Sequence, residues 1–171
     1  CWELSCTEDF PAFLRALVDL VPADSILYLE GGSPTKDIKS YFADRRPTQI
    51  TKVALSTIWP RQKIFHLVIT PENLEGLAQL AEIHATPEIA VHLLVYRDNK
   101  VLIEWYDAFS DPLYISKEIS EDKIKVFCER KKTPFSIMET QEFLTSVKSN
   151  IQSVDKNARV ILFGSRARGT A

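Results

Sequence analysis

Apolar positions recur at helical spacing from Phe10 to Val18, where Phe10, Phe13, Leu14, Leu17 and Val18 fall on one stripe. Thr7 is the expected N-cap, Glu8 and Asp9 supply negative charge to the first turn, and Pro22 ends the helix. Ser25–Glu30 reads as a strand. Gly31-Gly32-Ser33-Pro34 follows, with Ser33 as the expected N-cap and Pro34 at the first helical position. Ile38, Tyr41 and Phe42 give that second helix an apolar edge. Strands are expected over 52–58 and 63–69, divided at Trp59-Pro60-Arg61, because Pro60 cannot join a central ladder. Thr70-Pro71-Glu72 repeats the capping signature before Leu74, Leu77, Leu80, Ala81 and His84. The best hairpin joins 91–97 to 100–106, turning at Asp98-Asn99 or Asn99-Lys100. Ser120-Glu121-Asp122 caps a further helix whose inner face holds Ile124, Phe127 and Cys128.

Helices that return over one sheet predict an α/β fold, an α+β two-layer sandwich with a mixed sheet, over residues 1–132. The pattern leaves the strand order open. At Glu129–Pro134 the texture becomes basic and proline-containing, so 133–137 reads as a linker. From Met138 onward there is one fresh helix, with Phe143, Leu144, Val147, Ile151 and Val154 on one face, and a short apolar strand, Arg159–Phe163. Residues 138–171 carry 5 Lys+Arg against 3 Asp+Glu, whereas residues 1–137 carry 16 against 20, which supports two units.

Composition narrows the classes further. At 171 residues, with 45% hydrophobic and 26% charged residues, the chain has the make-up of a globular protein rather than a disordered or collagenous one. No apolar run approaches the roughly 18 residues needed to span a bilayer, so no membrane association is expected. A formal net charge of -2 gives no sign of nucleic acid as a partner. Three cysteines, Cys1, Cys6 and Cys128, without a Cys-x-x-Cys, argue against a disulfide framework or a cysteine zinc site and suit a reducing, cytoplasmic setting. The N-terminus lacks the pattern of a secretory signal; position 1 is Cys rather than Met, so the expected start is processed or lies upstream.

One motif rises above this background. Phe163-Gly-Ser-Arg-Ala-Arg-Gly169 directly follows the apolar strand. A glycine after a strand permits a tight turn and close approach to a triphosphate, and neighbouring N–H groups and Ser165 can bind anionic oxygens. The segment from about Met138 to Ala171 resembles the opening of the polymerase-β-like minimal nucleotidyltransferases. The resemblance implies nucleotide binding by Gly164, Ser165, Arg166 and Arg168. It also implies, for the complete parent domain, Mg²⁺ and a nucleoside triphosphate as cofactor and substrate, and transfer of a nucleotidyl group to a hydroxyl. Such domains often act with a helical partner in toxin–antitoxin pairs, which implies a protein partner for the parent.

In that family an Asp-x-Asp pair follows the Gly-Ser by about ten residues and holds the metal ions. Here no Asp or Glu lies after Asp155. The expectation is therefore a helix–strand fragment of such a domain, ending before its catalytic carboxylates, with no catalytic or metal-binding residue and no cofactor of its own. Met138 leaves two origins open, a start codon in an adjacent reading frame or a natural fusion. The competing expectation is a non-enzymatic binding or interaction module carried by residues 1–132.

The remaining constellations have bland explanations. His66 and His92 lie in strands, and His84 ends a helix. Either hairpin turn puts His92, Leu94 and Tyr96 on one face with Ile103, Trp105 and Asp107, whereas a one-residue shift groups His92 with Glu104 and Tyr106. Histidines hydrogen-bonded at the sheet face are the expected outcome, with ligand or acid–base roles the alternative. Gly31-Gly32-Ser33 has the form of a phosphate cradle, but helix capping explains each residue. Trp59-Pro60-Arg61 and Trp105–Phe109 are read as turn and core, and Lys131-Lys132 as solvated linker. Ser33, Ser110 and Ser116 lack a nucleophile elbow.

Overall fold

The computed structural model describes residues 1–5, 9–48, 63–107, 112–131, 135–137, 149 and 152–153. Among the described residues seven strands and five helices follow one another as β1 (Trp2–Leu4), α1 (Phe10–Leu20), β2 (Ile26–Glu30), α2 (Lys36–Asp44), β3 (Ile64–Val68), α3 (Pro71–Ile83), α4 (Thr86–Ile89), β4 (His92–Arg97), β5 (Lys100–Trp105), β6 (Leu113–Ile115), α5 (Glu121–Lys131) and β7 (Phe135–Ile137). The strands form one sheet in the order β3-β2-β4-β5-β6-β1-β7. Every pairing among the described strands is antiparallel, where a mixed sheet was expected. The α2 return places β3 beside β2 in the opposite sense, and β4 then docks antiparallel on the other side of β2.

The helices begin and end where local chemistry directs. Asp9, rather than the expected Thr7, caps α1 by accepting the Ala12 N–H at 2.8 Å, with Pro11 in the first turn, so the helix starts later than expected. Thr70 caps α3 through the Asn73 N–H at 3.1 Å, as its Thr-Pro-Glu signature predicts. The second helix departs from expectation: Thr35, not Ser33, is the N-cap, and Pro34 precedes the helix. Ser33 is drawn away because its N–H donates to the Pro87 carbonyl at 3.2 Å.

The helices bury their apolar stripes on one face of the sheet. Phe10, Phe13, Leu14, Leu17 and Leu20 of α1 join Leu74 and Leu77 of α3, and Ile124 and Phe127 of α5. Beneath them lie Leu27 and Leu29 of β2, Leu93 and Val95 of β4, and Ile103 and Trp105 of β5. Trp105 is fully buried and meets Phe13 edge-on at 5.0 Å.

The hairpin turns at Asp98-Asn99, since Arg97 pairs with Lys100. Its facing is that of the one-residue shift, which groups His92 with Glu104 and Tyr106, rather than that of an uninterrupted two-residue hairpin. Tyr96 pairs with Val101 but Val95 with Ile103, so β5 holds one extra residue, Leu102. This bulge shifts the register beyond it, putting Ile103 and Trp105 under the helices with Leu93 and Val95, and Glu104 opposite Leu94.

Residues 135–137, expected as linker, are β7, the strand beyond β1 at the sheet edge. Phe135 packs on the core and meets Trp2 edge-on at 5.9 Å. The folded unit therefore extends past residue 132. A chain ending at Ile137 should melt cooperatively, whereas one ending at Lys132 should lose at least about 1 kcal/mol of stability with that aromatic pair and ladder. Urea denaturation of the two truncations checks this; equal midpoints would show that β7 is dispensable.

Candidate functional site

Period-two alternation places Tyr28 and Glu30 of β2, His66 of β3, and Leu94 and Tyr96 of β4 on the sheet face opposite the helices. The register sets Tyr28 beside His66 and Leu94, and Glu30 beside His92. Tyr28, Leu94 and Tyr96 form a separate buried cluster on this side. Glu30, only 3% exposed, accepts a hydrogen bond from the Tyr28 hydroxyl at 3.1 Å. Burial, and after it the neighbouring Glu30 carboxylate, hold the Tyr28 phenol well above its ordinary value, so it remains a donor.

His66 Nδ1 lies 2.9 Å from the Tyr96 hydroxyl, and its ring meets that of Tyr28 edge-on at 5.2 Å. Burial first, then the positive charge of Arg46, lower the His66 pKa, which favours the neutral ring. His92 Nδ1 accepts the Asp107 backbone N–H at 3.0 Å, so the ring proton of its neutral form sits on Nε2. Asp107 adopts φ 44 to make that bond. The arrangement is a layer of mutually hydrogen-bonded polar groups. It fixes side-chain positions, and among the described residues neither of these imidazoles is hydrogen-bonded to a hydroxyl or thiol nucleophile of serine, threonine or cysteine.

The other residues singled out from the sequence are dispersed. His84 lies beyond α3, bonded to Asp37 and Glu88. Gly31 and Gly32, at φ 88 and 83, form a packed corner rather than a phosphate cradle. The Gly31 N–H donates to the Lys63 carbonyl at 3.1 Å, and the Ser33 N–H is likewise taken, so these donors turn inward. A Cβ on Gly32 would stand 2.9 Å from the Pro87 carbonyl oxygen. Cys128 is buried, and burial pushes its thiol up to about 11, away from reactivity. Among the described residues, no group of three or more His, Cys, Asp or Glu is arranged to hold a metal ion. Gly164, Ser165, Arg166 and Arg168 lie outside the described residues, as do the strands expected over 52–58 and 159–163, the helix face of Phe143, Leu144, Val147, Ile151 and Val154, Trp59-Pro60-Arg61 and Lys132.

An open, apolar concavity lies elsewhere. Between α1 and α5 runs a groove of about 200 Å³ with a floor of Ala16, Leu20, Val126 and Phe127. Val126 is 47% exposed, uncommon for a large aliphatic side chain in a helix that otherwise buries its apolar face. Asp19, Asp122, Lys123 and Arg130 form the charged rim, and Arg130 Nη1 bonds Asp19 Oδ2 at 2.5 Å from one helix to the other. The groove exists because α1 contacts α3 far more extensively than α5, and Ala16 offers only a methyl group where the helices face each other. Sequence reasoning missed it: Val126 alone breaks the α5 pattern, and the spacing between helices leaves no signature in either.

Compared with known proteins, the chain matches no family model, no curated protein and no solved structure.

The buried Tyr28–Glu30 pair has a measurable consequence. Tyr28→Phe leaves the Glu30 carboxyl short of a donor and should cost about 1–3 kcal/mol in urea denaturation at pH 7. An unchanged midpoint would mean that the hydroxyl contributes nothing.

Proposed function

We propose that the α/β domain of residues 1–137 is a binding module that captures one large apolar side chain of a partner polypeptide in the α1–α5 groove. The observation that carries this reading is the groove itself: apolar at its floor, open to solvent and ringed by charges of both signs. Its size decides between classes of ligand. Pockets for drug-sized molecules run to about 300–1,000 Å³ and enclose most of the ligand. A cavity of about 150 Å³ takes a benzene-sized group. A groove of about 200 Å³ therefore suits one leucine, methionine or phenylalanine side chain. Buried apolar anchors inside a polar rim are the usual energetic centre of a protein interface. The hydrogen-bonded layer on the opposite sheet face supplies a rigid frame rather than a reaction centre.

Short peptides bearing a single Leu, Met or Phe between Lys and Glu residues provide the probe. Titrated into the isotope-labelled chain, at least one should shift the resonances of Ala16, Leu20, Val126 and Phe127. Ala16→Met, which fills the groove from α1, should abolish those shifts and leave the melting temperature unchanged or raised. Shifts that persist in Ala16→Met, or no shifts at these residues with any peptide, contradict the reading.

The seven-residue string at Phe163–Gly169 favours a second reading, in which the complete protein is a nucleotidyltransferase and the α/β domain is its recognition part. Gly164 and Ser165 would then bind the triphosphate, with Arg166 and Arg168 adding positive charge. Mg²⁺ would be held by carboxylates that this chain does not contain after Asp155. Incubation of the 171-residue chain with Mg²⁺ and labelled nucleoside triphosphates should accordingly leave protein and RNA unlabelled. Labelling that Ser165→Ala removes would show that this chain completes the site by other means.

A further inference from the structure

We infer that His84 acts as a doubly protonated clip that holds the start of α2 to α4, and that α4 and the loop at 31–35 loosen together when it loses a proton. The two ring nitrogens face two different carboxylates. Nε2 lies 2.7 Å from Asp37 Oδ2, and Nδ1 lies 3.1 Å from Glu88 Oε2. A neutral imidazole has one N–H and one lone pair, so it can satisfy only one of the two; the imidazolium donates to both. The carboxylates diverge from the ring rather than converging on a common point, which suits a proton-dependent clip and not an ion site.

Each partner is held independently. Asp37, in the first turn of α2, also accepts from the Thr35 hydroxyl. That bond, and after it the one from His84, bring its carboxyl down to about 2, so it remains charged. Glu88 Oε2 also accepts the Ala85 N–H at 3.2 Å. The His84 backbone caps α3 through its N–H to the Leu80 carbonyl at 3.0 Å, so the ring is presented from a fixed point. Among the described residues, the charged groups acting on the ring are Asp37 from α2 and Glu88 from α4.

The clip reaches further because α4 is also the seat of the glycine corner. Gly32 packs against the Pro87, Glu88 and Ile89 carbonyls, and the Pro87 carbonyl takes the Ser33 N–H. Loss of the Glu88 contact therefore loosens both α4 and the 31–35 loop.

The direction with pH follows from the charges. The bond to Asp37, above all, raises the His84 pKa above its ordinary value, outweighing the opposing effect of desolvation. A group whose folded pKa is raised contributes fully below its unfolded value, about 6.5 for histidine, and loses that contribution as pH rises through the folded value. The clip is thus closed in mildly acidic solution and opens on the alkaline side.

The test is ring ¹⁵N NMR of the full chain, with hydrogen exchange followed across the same pH range. Both His84 nitrogens should read as protonated in mildly acidic solution, below about pH 5.5, with a midpoint above that of an unperturbed histidine. Protection over 31–36 and 86–91, corrected for intrinsic rates, should fall through that midpoint while α1 stays protected. Asp37→Asn with Glu88→Gln should lower the midpoint. A midpoint at or below the ordinary value would overturn the inference, as would the same pH-dependent loosening in His84→Gln. Should the variants not fold, the wild-type midpoint and protonation state decide alone.

Discussion

Phe13 lies edge-on against Trp105 at 5.0 Å, and the rest of the described fold is arranged about that contact. It fixes α1 across the sheet, so that Phe10, Phe13, Leu14, Leu17 and Leu20 all reach the core. Helix α3 then packs along one flank, where Arg15 reaches both Glu75 at 2.8 Å and Glu82 at 2.7 Å. Those pairs are solvent-exposed and add little energy, but they suit only one alignment of the helices. On the other flank α5 meets α1 through Phe127, which stands edge-on to Phe13 at 6.0 Å, and through Arg130–Asp19. Between these two contacts the methyl group of Ala16 leaves the groove open. Core and candidate binding surface thus share one wall.

The parts legible in the sequence are those with enough residues to show a period or a cap. The stripe of α1, the Thr70-Pro71 start of α3 and the inner face of α5 appear as read. The residues at 98–100 allow two hairpin turns, and the structure selects Asp98-Asn99. The facing of its strands was not legible, because the Leu102 bulge lies inside a run of apolar residues that hides the change of register. Strands β1, β6 and β7 have three residues each, too few to establish an alternation. They belong to the sheet through their neighbours, and propensity had no means to find them. Ser33-Pro34 is a sound helix-start signal that lost to a tertiary hydrogen bond with Pro87. The candidate site followed the same division: His66 and His92 were visible as hydrogen-bonded sheet residues, while the groove depends on the spacing of two helices distant in sequence.

Paired polar residues gather on the sheet face opposite the helices. Tyr28, Glu30, His66 and Tyr96 satisfy one another where unpaired groups would be costly, which makes that side rigid and specific. Among the described residues the exposed large apolar side chains are Val126 beside the groove, Ile83 at the end of α3 and Ile64 in β3.

The central claim is that α1 is the common wall of core and groove, so that it unfolds only with the sheet. Native-state hydrogen exchange measures this directly. The account predicts that amides of 14–20 exchange with the same free energy as those of β2, β4 and β5, equal to the global stability. Exchange of α1 through a lower-energy opening, with the sheet amides still protected, would contradict it.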